Sequence, residues 1–180
     1  ANWLDPILAW VRNIGNGTFA APTALTAHYS SSSNATSIDW ADADEDGLPD
    51  LFTSTYGQGN YAWFRNLGNG VFGTRQALGS TASAWTCAAA DIDGDGSMDA
   101  VVGGASLVWI RSQNGDFSLV PPLNQNIGGT AGVRYMVAGN TDGDAATEFF
   151  TAEPSVNKIS RFNYTSSTLP FDNYTLSTAS

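Results

Sequence analysis

A nine-residue acidic loop recurs along this chain at a constant interval, and it constrains the fold more than any other feature. Asp42-Ala43-Asp44-Glu45-Asp46-Gly47-Leu48-Pro49-Asp50 is followed 49 residues later by Asp91-Ile92-Asp93-Gly94-Asp95-Gly96-Ser97-Met98-Asp99. A weaker copy, Asn140-Thr141-Asp142-Gly143-Asp144-Ala145-Ala146-Thr147-Glu148, follows after another 49. Carboxylates at positions 1, 3, 5 and 9 of a tight loop repel one another unless a hard cation sits among them. Calcium suits such a loop, because it accepts six to eight oxygens at about 2.3–2.6 Å in a flexible geometry. A fixed period of this length also marks an array of equivalent supersecondary units.

A second motif rides on the first. Ala9-Trp10-Val11-Arg12-Asn13-Ile14-Gly15-Asn16-Gly17-Thr18-Phe19 returns as Ala62-Trp63-Phe64-Arg65-Asn66-Leu67-Gly68-Asn69-Gly70-Val71-Phe72. Val108-Trp109-Ile110-Arg111-Ser112-Gln113-Asn114-Gly115-Asp116-Phe117 is a shorter third version, and Lys158 to Tyr164 with Phe171 is a loose fourth. Each reads as a strand, a turn on Asn-Gly and another strand, since Asn-Gly supplies the positive φ of tight hairpins. Short β-branched or aromatic runs flank every acidic loop, as in Leu51-Phe52-Thr53-Ser54-Thr55-Tyr56 and Val101-Val102. One unit is therefore strand, acidic loop, strand, turn, Trp strand, Asn-Gly turn, strand. Four antiparallel strands in 40 to 50 residues is the pattern of a propeller blade.

Composition agrees. The chain is rich in Gly and aromatic residues and poor in Lys and Glu, which favours strands over helices. We expect an all-β fold in one region spanning 1–180: a half blade plus linker at 1–34, then blades at 35–82, 83–128 and 129–180. Propellers close with four to eight blades. Three and a half blades would leave sheet faces bare at both ends, so another chain, another segment or a second copy should complete a larger propeller. Two copies would make seven blades.

The formal charge of −10, with only 7 Lys and Arg, argues against nucleic acid, whose phosphates need cations. The three loops hold 12 of the 17 acidic residues, so much of the acidity is ready to be neutralised by metal. No membrane span or signal peptide is visible in the sequence. The single cysteine rules out an internal disulfide. Asn16, Asn34, Asn163 and Asn173 open Asn-x-Thr glycosylation sequences, which fit a secreted chain without proving secretion.

At this point the residues resemble a known family. D-x-D-x-D-G-x-x-D after a small-residue strand, followed by a W-x-x-N-x-G-N-G-x-F hairpin, looks like the FG-GAP/VCBS repeat of integrin α subunits, some fungal lectins and many secreted proteins. The resemblance covers nearly the whole chain. It implies a β-propeller whose loops bind calcium between the first two strands of each blade.

In the first loop we expect Asp42, Asp44, Asp46 and Asp50 as side-chain ligands with the carbonyl of Leu48. In the second the set is Asp91, Asp93, Asp95 and Asp99 with the carbonyl of Ser97, Gly47 and Gly96 marking sharp turns. In the third, Asn140, Asp142, Asp144 and Glu148 with the carbonyl of Ala146 make a weaker set, because Asn140 lacks a charge and Ala145 replaces the turn glycine. An EF-hand is excluded, since position 12 is Thr53, Val102 or Thr151 rather than Glu, and the flanks are strands.

Trp10, Trp63 and Trp109 recur at one repeat position and read as packing between blades rather than a sugar-stacking ladder. Trp3, Trp40, Trp85 and Tyr56 do not repeat and are the candidates for a binding surface. Cys87 aligns with Ile38 and Met136, a core position. His28 is the only histidine, so a His-based hydrolase or zinc centre has nothing to build on. Asp5, Asp39, Asp116, Glu153 and Asp172, the carboxylates outside the loops, form no repeated pair for acid–base work. The expected function is a non-catalytic, calcium-stabilised extracellular propeller for adhesion, assembly or recognition of a protein or glycan ligand. The alternative is a lectin, or a binding module of a polysaccharide-active enzyme.

Overall fold

Asn-Gly turns start the chain's strand pairing. β1 (Ala9–Trp10) pairs with β4 (Thr23–Ala24), and between them β2 (Asn13–Gly15) pairs with β3 (Thr18–Phe19). At the tip, Gly15, Asn16 and Gly17 all have positive φ (92°, 52°, 74°), and Gly68, Asn69 and Gly70 repeat this at 80°, 53° and 75°. The computed structural model describes residues 8–25, 34–112, 117, 123–128, 132–165 and 171–178. Trp3, Asp5, His28 and Asp116 lie outside the described residues, as does the side chain of Asn173.

Three four-stranded antiparallel meanders follow in chain order. The first contains β5 (Ala35–Ala41), β6 (Asp50–Thr55), β7 (Asn60–Phe64) and β8 (Gln76–Ser80). The second contains β9 (Thr86–Ala90), β10 (Asp99–Gly103), β11 (Leu107–Arg111) and β12 (Leu123–Gly128). The third contains β13 (Tyr135–Gly139), β14 (Glu148–Glu153), β15 (Lys158–Tyr164) and β16 (Phe171–Thr178). A 3-10 turn at Pro154–Val156 is the one helical element among the described residues. The fold is all-β, and its meanders are the blades of a partial propeller.

The sheets stack face to face because each has two apolar faces. Phe52, Trp63 and Leu78 of the first meet Cys87, Val102, Val108 and Ile110 of the second. Val101, Leu107 and Trp109 of the second meet Met136, Phe149 and Phe162 of the third. Fully burying each such side chain contributes about 1.5–3 kcal/mol. Trp63 and Trp109 are 2% and 4% exposed, which is the packing role expected of the repeated tryptophans. Trp10 is half-buried and lies where a Cβ on Gly70 would fall, so only glycine fits there. Cys87 is buried, and burial pushes its thiol up to about 12, making it an inert core residue.

Two faces are left open among the described residues. On the third sheet Tyr135 and Val137 are 71% and 64% exposed. On the first, Ile38 and Trp40 are exposed beside an apolar cleft of about 250 Å³ that Leu8, Trp10 and Leu25 of the N-terminal segment partly close. Ile38 thus shares its repeat position with the buried Cys87 and Met136 and yet is exposed, because no full sheet covers it.

Candidate metal centre in the acidic loops

Each acidic loop joins the first two strands of a sheet, and strand register closes it. Ala41 pairs with Asp50, Ala90 with Asp99 and Gly139 with Glu148, so the ninth loop residue opens the second strand at the base of the loop. Those three carboxylates are fully buried. In the first two loops they hold backbone in place. Asp50 Oδ2 accepts from Ala43 N (3.1 Å) and Oδ1 from Asn66 N (2.7 Å). Asp99 Oδ1 accepts from Ser112 N (2.8 Å), and Oδ2 accepts from the indole N–H of Trp109 (3.1 Å). The acidic loop and the Trp hairpin are therefore tied together inside each repeat.

The carboxylates that converge are those at positions 1, 3 and 5. Asp42, Asp44 and Asp46 bring one oxygen each within 4.8 Å of one another, as do Asp91, Asp93 and Asp95. Loop backbone shapes these groups: Asp42 accepts from Asp46 N and Gly47 N, and Asp91 accepts from Asp95 N and Gly96 N. Asp46 and Asp95 in turn accept from Leu48 N and Ser97 N, both at 2.9 Å. Asp50 and Asp99 stand outside the convergent groups, at the bases.

The third loop assembles differently. Its group is Asp142, Asp144 and Glu148, and Asn140 is not part of it. The Asn140 amide spans the loop instead, donating to the Asp144 carbonyl while its Oδ1 accepts from Gly143 N at 2.7 Å. Glu148 has one more methylene than Asp50 or Asp99. Its Oε2 accepts from the N–H and hydroxyl of Thr141 (2.7 and 2.6 Å), which leaves Oε1 for the cluster.

Backbone conformation also separates the loops. Position 6 is left-handed at Gly47 (86°) and Gly96 (93°), whereas Ala145 stays out of that region. Position 4 is left-handed in all three, at Glu45 (59°), Gly94 (73°) and Gly143 (85°), although Glu45 carries a Cβ that strains there.

A guanidinium serves every loop, and sequence reasoning missed it. Arg65 pairs through Nε with Asp44 and through a terminal nitrogen with Asp46 (3.1 Å). Arg111 does the same with Asp93 (2.6 Å) and Asp95 (3.0 Å). Arg161 reaches Asp142 (2.8 Å) and Glu148 (3.4 Å). The signal was available: Arg12, Arg65 and Arg111 each stand two residues after a repeated Trp, and with Arg161 they are four of the seven cationic residues.

Three convergent carboxylates and one guanidinium leave a formal charge of −2 in each convergent group, which matches a divalent cation. Burial makes that charge costly. The Asp93 side chain is 1% exposed, and its Oδ2, although ion-paired with Arg111, accepts no hydrogen bond; Asp44 Oδ1 likewise accepts none. Burial raises Asp93 above the usual carboxylate range, with Asp95 adding to the effect. Burial raises Asp50 too, and pushes Asp99 up to about 7. An all-oxygen donor set that is desolvated, negative and short of hydrogen-bond donors fits a hard cation such as calcium.

The other expected residues fall as follows. Tyr56 and Trp85 stack on each other with ring centroids 4.0 Å apart, while Trp40 stands apart from them at the apolar cleft. Asp39 Oδ2 accepts from Ala89 N (2.9 Å), joining the first two sheets, and Glu153 is buried with the hydroxyls of Thr151 and Ser160. Asn16 is exposed at its hairpin tip, whereas Asn34 and Asn163 are half-buried.

No curated protein matches this chain. The FG-GAP-like repeat profile matches residues 5–53 and again 44–102, taking in the first two acidic loops. Those matches together cover more than half of the sequence, and the chain belongs to the FG-GAP-like repeat family.

Proposed function

We propose that this chain is a non-catalytic, extracellular binding module whose blades are stiffened by calcium held in the acidic loops. The observation that carries the reading is the second loop, where three carboxylates converge and the Asp93 side chain is only 1% exposed. Asp42, Asp44 and Asp46 would hold one ion, and Asp91, Asp93 and Asp95 another, and the expected Leu48 and Ser97 carbonyls would add one ligand to each. Asp142, Asp144 and Glu148 would form a third, weaker site. Bound calcium would relieve carboxylate repulsion and stabilise the folded state by mass action. Its role is structural, and adhesion, assembly or ligand recognition would fall to the surfaces the blades present.

Completion of the propeller by another chain, another segment or a second copy belongs to the same proposal. The exposed Tyr135, Val137, Ile159 and Tyr174 of the third sheet support it, because the second sheet buries both of its apolar faces against neighbouring sheets.

The test is native mass spectrometry of the chain with calcium and then with chelator, paired with thermal melts. Bound calcium, a melting temperature that rises with it, and a second chain in the complex would support the reading. A calcium-free 18.9 kDa monomer with calcium-independent melting would overturn it.

A further inference from the structure

The N-terminal pair β1 and β4 repeats the third and fourth strands of a blade, and its hairpin is built like the others. Ala20 N donates to Arg12 O and Gly15 N to Asn13 Oδ1, as Gly73 N donates to Arg65 O and Gly68 N to Asn66 Oδ1. Trp10, Arg12 and Asn13 therefore hold the places of Trp63, Arg65 and Asn66 in the first sheet and of Trp109, Arg111 and Ser112 in the second. In those sheets the Trp strand, β7 or β11, is paired on both edges, with the second strand on one side and the fourth on the other. Among the described residues β1 pairs with β4 alone, so the edge that a second strand would take is open.

Three groups along that edge lack what their equivalents have. The Trp10 indole N–H is buried and donates to no described residue. By contrast, the Trp109 N–H donates to Asp99 at position 9 of its loop (3.1 Å), and the Trp63 N–H faces the Asp50 carboxylate and helps stabilise its charge. A buried donor left unpaired costs about 1–3 kcal/mol. Arg12 is exposed and ion-paired with no described residue, whereas Arg65 and Arg111 each bind two carboxylates of their own acidic loop. Asn13 is exposed, whereas Asn66 gives its backbone N–H to Asp50 (2.7 Å) and its side-chain amide to Pro49 O (2.9 Å). An indole donor, a guanidinium and an amide are thus arrayed for an acidic loop.

The surface beside the edge gives an independent observation. Leu8, Trp10 and Leu25 share the apolar cleft of about 250 Å³ with Ile38 and Trp40 of β5, which are 50% and 52% exposed. In the second sheet Cys87 and Ala89 hold the places of Ile38 and Trp40, and Phe52, from the second strand of the preceding sheet, shares their core. Phe52 stands two residues after Asp50 at position 9. The cleft therefore fits an apolar side chain two residues after a position 9 carboxylate, on a strand lying along the open edge of β1. The polar and apolar requirements fall on one segment.

The structure assigns the open edge of β1 as the docking site for a strand–acidic loop–strand segment of a partner chain, its position 9 carboxylate on Trp10 and Asn13, its loop on Arg12, and an apolar side chain in the Ile38–Trp40 cleft. This rests on reading the propeller as completed by a further segment, and it states that segment's chemistry. A neutral strand would pair with the edge and fill the cleft, yet leave Trp10 and Arg12 unmatched. A second copy of the chain carries three such segments, but each is already paired in its own sheet, and docking one here would mean opening that sheet.

The experiment is calorimetric titration of the intact chain with a synthetic peptide of residues 84–104, which holds the second acidic loop and both its strands, under reductant and at fixed free calcium. The peptide should bind one to one. Trp10→Phe, which keeps the ring system's bulk in part and removes the N–H, should weaken it about tenfold, the loss expected for one charge-assisted hydrogen bond. Arg12→Gln should weaken it by a similar factor. A peptide carrying Asp99→Asn should bind the parent chain about tenfold more weakly and respond much less to Trp10→Phe. No binding at millimolar peptide, unchanged affinity in both chain variants, or full affinity of the Asp99→Asn peptide would overturn the assignment. A dimer of the intact chain that the peptide dissociates would give the edge to a second copy and overturn the partner-chain assignment. A second chain seen by native mass spectrometry without any peptide binding would leave completion standing and overturn this site alone. Melting of the chain by itself, in calcium and in chelator, reports on its own three loops, so failure of the metal reading gives a different result again.

Discussion

The second and third acidic loops share an Asp-Gly-Asp centre and have opposite surroundings. In the second, Ile92 and Asp99 are fully buried, and the Asp93 side chain is 1% exposed. In the third, Asn140, Thr141, Gly143 and Asp144 are exposed, and the Asp142 side chain is 39% exposed. The difference is the neighbour. The third loop lies on the second, with Thr147 N donating to Asp91 O at 2.9 Å, and no described residue lies on the third in the same way. Burial of the position-3 carboxylate is thus conferred by the next repeat, whereas Glu148 at position 9 is fully buried within its own repeat.

The comparison breaks first at the second loop position. Ile92 fills the core between the second and third sheets, so Ile92→Ala should cost about 3 kcal/mol. Thr141→Ala keeps the backbone hydrogen bond to Glu148, loses only the one from the hydroxyl, and should cost about 1 kcal/mol. Urea denaturation of both variants checks this, and equal losses would mean that loop burial does not differ as described.

The next effect depends on calcium. At 100 times the dissociation constant, a bound ion contributes about 2.7 kcal/mol. Asp93→Ala should lose that amount in calcium and melt nearly as the parent chain does in chelator. Asp142→Ala should lose less in calcium, because its carboxylate is more exposed and its loop lacks a charge at Asn140. Equal losses with and without calcium would exclude a metal role for Asp93.

Sequence made the repeats legible because period and turn chemistry are local: Gly68-Asn69-Gly70 must turn left-handed wherever it sits, and Trp63 and Trp109 fall at one packing position. The convergent carboxylate groups were legible only in part. Positions 1, 3 and 5 converge in the first two loops, but Asp50 and Asp99 turn to Asn66 N and Ser112 N, donors in hairpins many residues away. Arg65, Arg111 and Arg161 escaped notice for the same reason, since each reaches its loop across a strand. The Tyr56–Trp85 stack joins two sheets, and spacing along the chain does not reveal such pairs.

Titration sharpens the contrast at the base of the second loop. Burial holds Asp99 up to about 7 in the folded chain, while the unfolded chain ionises it near its ordinary value of 3.8. Between those values the folded state keeps a proton that the unfolded state has lost, so stability falls as pH rises through the window and levels off above it. Asp50 and Asp93 are raised as well and act with the same sign. In chelator, going from pH 5 to 7 should therefore cost about 2 kcal/mol at ~1.4 kcal/mol per pH unit. Asp99→Asn should flatten that slope, and bound calcium, which favours the ionised form, should also reduce it. A slope unchanged by Asp99→Asn would place the titration elsewhere.

The smallest effect isolates contact between loops from strain within one. Gly94 and Gly143 share position 4, with φ of 73° and 85°, so alanine at either carries a left-handed cost of about 1 kcal/mol. Glu45 holds the same conformation with a side chain attached, which shows that the fold tolerates this cost. Only Gly94 faces a neighbour: a Cβ there would come 3.0 Å from Ala146 N and 3.1 Å from Ala145, whereas one on Gly143 meets nothing within 4 Å. Gly94→Ala should therefore destabilise by more than Gly143→Ala, and the excess measures how closely the third loop seats on the second. Calcium should widen the gap, because the shift forced on Ala145 and Ala146 disturbs the third loop while Gly94 itself lies between Asp93 and Asp95. Chemical denaturation of the two variants with calcium and with chelator gives four numbers. An excess that vanishes in both conditions would mean that the loops fold independently, and the neighbour effect that separates them would then have to come from the sheets alone.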